Sequence, residues 1–107
     1  MTLEKHQQWL KRFYERRGWY EYSPFVHANF LNEETGELAR AIRAIEIGRD
    51  HPGEDKASVT ALRSNLEEEL ADVLDQVVII SSKYEIDARS LLAASEAKLK
   101  ERFDDEQ

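Results

Sequence analysis

A chain of 107 residues that is 41% hydrophobic and 9% aromatic carries enough apolar material for one folded domain, expected over residues 1–107, yet a single copy buries only a modest core. Its 35% charged residues, with 4 glycines and 2 prolines, favour helices and predict an all-α class. The formal net charge of −7 argues against nucleic-acid backbones and anionic membranes as partners, and the lack of cysteine excludes disulfides, thiolate metal sites and cysteine nucleophiles.

Four helices are predicted in chain order. The first covers residues 3–17, with Leu10, Phe13 and Tyr14 on one face and Gly18 as its stop. An aromatic connector follows, holding Trp19, Tyr20 and Tyr22. Ser23-Pro24 then reads as an N-cap with proline at the first helical position, opening a helix over residues 24–47 that ends at Gly48. Residues 49–56, with Pro52-Gly53, are expected to form a polar loop. A third helix is expected over residues 58–84 and a fourth from about Asp87 to Phe103, with a fraying acidic tail at residues 104–107. No apolar run reaches membrane-spanning length, and Met1-Thr2-Leu3-Glu4-Lys5-His6 does not read as an export signal, so a cytoplasmic protein is expected.

Two short acidic motifs stand inside the middle helices: Glu33-Glu34-x-x-Glu37 and Glu69-x-x-Asp72. In the second helix an apolar stripe at Leu31, Thr35, Leu38, Ile42 and Ile45 is flanked by Phe30, Glu34, Glu37, Ala41 and Ala44. In the third, Leu66, Leu70, Val73, Val77 and Ile80 are flanked in the same sense by Asn65, Glu69, Asp72, Gln76 and Ile79. Antiparallel pairing therefore puts both acidic stripes on one flank. Each acidic pair lies about a dozen residues, roughly 18 Å at helical rise, from the intervening turn. Glu34, Glu37, Glu69 and Asp72 are predicted to converge, and such a cluster repels itself unless a cation compensates. Hard carboxylate oxygens point to Mg²⁺, with Mn²⁺ as a substitute. His6, His27 and His51 lack zinc-ligand spacing, and no histidine stands three residues after a glutamate as a di-iron bundle requires. Glu67 and Glu68 point elsewhere on the third helix and are expected to be solvated.

The stretch Phe30-Leu31-Asn32-Glu33-Glu34-Thr35-Gly36-Glu37-Leu38-Ala39-Arg40-Ala41-Ile42, followed by Glu67-Glu68-Glu69-Leu70-Ala71-Asp72-Val73-Leu74-Asp75, resembles the MazG-like nucleotide pyrophosphohydrolases. These belong to the all-α NTP pyrophosphatase superfamily, with the dimeric dUTPases and phosphoribosyl-ATP pyrophosphatase. The resemblance implies a four-helix bundle completed by oligomerisation. It also implies Mg²⁺-dependent hydrolysis of a nucleoside or deoxynucleoside triphosphate to the monophosphate and pyrophosphate by activated water. By motif position the implied ligands are Glu34, Glu37, Glu69 and Asp72. Asp75, one turn beyond Asp72, is a further candidate for a metal or for ordering a ligand, and Glu33 is a candidate to support the ligands from behind.

Phosphate oxygens left free by metal need donors, and Lys98 and Arg102, one turn apart on the last helix, are candidates in a segment similar to a basic stretch in some members. Arg40, Arg43 and Lys83 are weaker ones. Phe30 and His27, one and two turns before the acids, are candidates to line the mouth of the site, with Trp9, Phe13 and Trp19 as stacking surfaces for a base. The shortness of the chain and the apolar run over residues 73–80 lead to an expected homodimer or homotetramer. The competing readings are a non-catalytic nucleotide sensor, a helical protein-docking module, and the phosphoribosyl-ATP pyrophosphatase reaction, which shares the same ligands.

Overall fold

Local chemistry marks the ends of each helix. The computed structural model describes residues 1–48 and 58–103. The polar loop expected at 49–56, His51 within it and the expected fraying at 104–107 lie outside these. Helix α1 (Leu3–Arg17) begins at Thr2, whose hydroxyl accepts the Lys5 backbone N–H at 3.1 Å. It ends at Gly18, where φ of 74° lets the chain reverse and the Trp19 N–H donates to the Tyr14 carbonyl at 3.0 Å. Helix α2 (Pro24–Glu46) has proline in its first turn. Ser23 occupies the cap position in an extended conformation, but its hydroxyl makes no capping bond, so the proline and the backbone carbonyl of Ser23 carry the start. Ile47, expected inside the helix, is its C-cap.

Helix α3 (Val59–Lys83) is capped by Ser58, whose Oγ accepts the Ala61 N–H at 3.1 Å. Helix α4 (Ala88–Phe103) starts after Asp87, whose Oδ1 accepts the Arg89 N–H at 2.9 Å. The Arg89 side chain also holds Asp87 Oδ2 at 3.0 Å, and these bonds keep the Asp87 carboxyl below the usual aspartate range. The described residues are thus all-α, with four helices and no strand. None of these helices is long and apolar enough to cross a membrane.

The chain forms two compact units, Ser23–Val77 and the pair Met1–Tyr22 with Val78–Gln107. In the second, Leu10 and Tyr14 of α1 pack with Val78, Ile79 and Ala88, and Leu3, Phe13 and Tyr20 cover the edge. Gln7 is buried among them and satisfies three backbone groups at once. Its Nε2 donates to the carbonyls of Val78 (3.4 Å) and Ile86 (3.0 Å), and its Oε1 accepts the Ala88 N–H at 2.9 Å. The α3–α4 turn is tightened by Ser81 Oγ, which donates to the Ile86 carbonyl at 2.6 Å, and by Glu85, which adopts a left-handed φ of 58°. Lys83 Nζ donates to the Tyr20 carbonyl at 2.6 Å and lies 4.7 Å from the centre of the Tyr20 ring.

In the unit Ser23–Val77, residues 37–44 of α2 share a groove with residues 69–61 of α3, and Glu34 lies beside Glu69 and Asp72. Rising numbers on one helix meet falling numbers on the other, so the pair is antiparallel, as predicted. The buried positions differ from the expected apolar stripes. Ala41, on the acidic stripe, is 2% exposed, while Leu31, Leu38, Leu66 and Val73 are only half-buried. Ile42, Ile45, Leu70 and Val77 of the expected apolar stripes are exposed.

Candidate metal centre

The one-turn spacing within each motif brings carboxylates to the α2–α3 seam at a common level. One oxygen from each of Glu34, Glu69 and Asp72 lies within 4.8 Å of the others. Glu34 and Glu69 are half-buried, and Asp72 is exposed at the rim. Three like charges this close, two of them partly desolvated, disfavour full ionisation. Burial first, and then the charges of Asp72, Glu69, Glu37 and Glu33, push the Glu34 carboxyl above its usual range. Glu69 is raised by burial and by Asp72, Glu37 and Glu68.

The remaining predicted residues divide by position. Glu37 is outside the tight trio, but it acts on both raised glutamates and shares the walls of a neighbouring groove with Glu69. Glu33 is exposed and contributes only its charge, as does Glu68. Asp75 is half-buried one turn beyond Asp72 and outside the trio. His27 corrects an expectation: it is fully buried and sits edge-on to the half-buried Phe30 at 6.2 Å, so it does not line an open mouth. A histidine on an apolar face reads equally as core or as contact, and the burial decides between them. Lys98 and Arg102 are exposed on α4, in the other compact unit.

The stacking surfaces resolve into a ladder on the unit containing α1. Trp9 stacks on Phe13 at 5.2 Å, Phe13 meets Trp19 edge-on at 6.2 Å, and Arg17 covers the Phe13 ring at 3.6 Å. Trp19 also sits edge-on to Tyr14 at 5.5 Å, so these rings are engaged with one another.

The acidic trio suits a hard divalent cation in its donor chemistry. It offers oxygen ligands only, and a bound positive charge would relieve the repulsion that raises Glu34 and Glu69. The groove beside it, about 410 Å³, runs between α2 and α3 and is lined by Glu37, Glu69, Arg40, Asn65 and Leu62, with alanines at 41, 44 and 61. Sequence reasoning placed Ala41 and Ala44 on the acidic flank and overlooked Ala61 and the groove, since alanine carries no chemical signal of its own.

The family model for the MazG nucleotide pyrophosphohydrolase domain matches residues 25–105, which include both acidic motifs and the helices that carry them. A Bacillus subtilis (strain 168) protein described as uncharacterized protein YvdC is 44% identical over 104 residues, covering 97% of this chain and 98% of its own. That similarity extends beyond the matched domain into α1. The chain belongs to the MazG nucleotide pyrophosphohydrolase domain family.

Proposed function

We propose that this protein hydrolyses a nucleoside or deoxynucleoside triphosphate to the monophosphate and pyrophosphate in a Mg²⁺-dependent reaction. The observation that carries this reading is the carboxylate trio of Glu34, Glu69 and Asp72, drawn from two helices of a family whose members act on nucleotide phosphoanhydrides. Glu34, Glu69 and Asp72 would hold the cation, with Glu37 beside them completing a four-carboxylate set. Bound there, Mg²⁺ would neutralise phosphate charge and acidify a water.

The protein's own part follows from its charges. Without a cation, this acidic face repels a triphosphate, so productive binding is coupled to metal occupancy. Holding the carboxylates on two paired helices fixes their separation before substrate arrives, which limits the reorganisation needed during reaction. Hydrolysis adds water across the α–β phosphoanhydride: one P–O bond forms, the bond to pyrophosphate breaks, and no covalent enzyme intermediate is needed. Phe30 is proposed as a contact near the site, Asp75 as a supporting carboxylate, and Glu33 as an electrostatic neighbour.

Pyrophosphate release measured with each common NTP and dNTP in Mg²⁺ tests the reading. Turnover of at least one substrate is expected, with loss in a Glu37→Gln, Asp72→Asn double variant. No turnover of any substrate, or full activity in the double variant, would refute it. The exposed Ile42, Ile45, Leu70, Leu74 and Val77 further support a homodimer or homotetramer. A monomeric mass by light scattering at micromolar concentration would exclude that assembly. The absence of cysteine fits residence in a reducing cytoplasm, and fractionation of cells expressing the chain tests this.

A further inference from the structure

We infer that the groove beside the acidic trio is the nucleoside subsite, with Asn65 the side chain that hydrogen-bonds the sugar and Ala44 and Ala61 the walls of the base slot. The inference rests on the pyrophosphohydrolase reading above and gives it a substrate orientation. The groove of about 410 Å³ shares Glu37 and Glu69 with the acidic centre and lies within the range of small-molecule sites. Small side chains create it. Ala41 is buried at 2% exposure, Ala44 is half-buried and Ala61 is exposed, leaving beside the half-buried Leu62 a space that larger side chains at these three positions would fill.

The lining is ordered along the helices. Glu37 and Glu69 mark one level. One turn away are Arg40 and Ala41 on α2 and the exposed Asn65 on α3, and a further turn away are Ala44, Ala61 and Leu62. From Glu37 to Ala44 is seven residues, roughly 10 Å at helical rise. Charged, then polar, then apolar lining is the same order in which a nucleotide presents phosphate, sugar and base. The Asn65 amide both donates and accepts, which suits a sugar hydroxyl, whereas Arg40 only donates and supplies positive charge at the junction of sugar and phosphate. Ala44, Ala61 and Leu62 offer an apolar slot for the faces of a base.

Two readouts test this independently of turnover. In the ¹⁵N-labelled full chain with Mg²⁺, titration with ribo- and deoxyribonucleoside monophosphates should shift the amide resonances of Ala44, Ala61 and Asn65. Ala61→Phe should weaken the tightest of these monophosphates at least tenfold, or about 1.4 kcal/mol, while Mg²⁺ affinity by calorimetry stays within about twofold. Because Ala61 is exposed on α3, helicity should be unchanged, and the smaller Ala61→Leu should give an intermediate loss. Asn65→Leu should weaken the same monophosphate about tenfold and leave inorganic pyrophosphate binding intact. Shifts absent from these three residues for every monophosphate, or wild-type affinity in Ala61→Phe, would overturn the assignment. If no triphosphate is hydrolysed but the mapped binding persists, the hydrolytic reading falls and the subsite stands. If hydrolysis proceeds with an unchanged KM in Ala61→Phe, the subsite falls alone.

Discussion

Replacing Glu34 by glutamine should stabilise the metal-free protein and at the same time abolish most of its stabilisation by Mg²⁺. The wild-type carboxylate has two like-charged neighbours with oxygens within 4.8 Å. At that separation in a water-like dielectric each repulsion costs about 0.9 kcal/mol, and salt near 0.1 M screens it to about half that. Two pairs together cost about 1 kcal/mol, to which partial burial of the Glu34 charge adds. Glutamine keeps the shape of the side chain without this cost, so thermal denaturation followed by circular dichroism in EDTA should show a melting temperature about 4 °C higher. With Mg²⁺ the order should reverse. An ion bound only by the folded wild type contributes about 2.7 kcal/mol at a hundredfold excess over its dissociation constant, and the variant has lost one ligand. The crossing of the two curves is the signature. A variant less stable than wild type in EDTA would mean that Glu34 contributes packing or hydrogen bonding that outweighs its repulsion. An undiminished Mg²⁺ response would remove Glu34 from the ion's ligands.

Further outcomes follow from other parts of the structure. Since the folded-state pKa values of Glu34 and Glu69 are raised from 4.5, their stabilising contribution in EDTA is fully present below that value and is lost as pH rises through the raised values; melting temperatures across pH 4–8 should show a decline in the wild type that is smaller in a Glu34→Gln, Glu69→Gln variant. Gln7→Leu should cost about 1–3 kcal/mol in urea denaturation, because the Ala88 N–H loses its buried acceptor whereas the Ile86 carbonyl keeps Ser81. A cost below the error of the measurement would show that water replaces the amide. Glu85→Gly should raise the urea midpoint, relieving a left-handed residue at a net gain of about 0.5–1 kcal/mol, and a lower midpoint would count against strain at that turn.

Helix limits were legible because their chemistry is local. Gly18, Pro24 and Asp87 act on backbone groups within a few residues, and the observed ends fall at or next to the expected positions. The meeting of Glu34 with Glu69 and Asp72 was legible because helical periodicity fixes which residues share a face. Periodicity does not fix which edge of a face meets the partner. The exposed Ile42 and Leu70 and the buried Ala41 show the cost of that gap. Gln7 was invisible for another reason: beside the exposed Gln8 it reads as an ordinary surface amide, and its three backbone partners include groups more than 70 residues away in sequence.

The carboxylates stand in the middles of α2 and α3, and this restricts how the centre can change over time. A helix advances about 100° per residue, so one residue inserted between Glu69 and Asp72 would swing one acid away from the other. A shift of position within a helix is therefore quantised, and only steps close to whole turns restore the alignment. Related chains that keep the trio should differ inside these helices by substitution, with gains and losses of length confined to the connections between them.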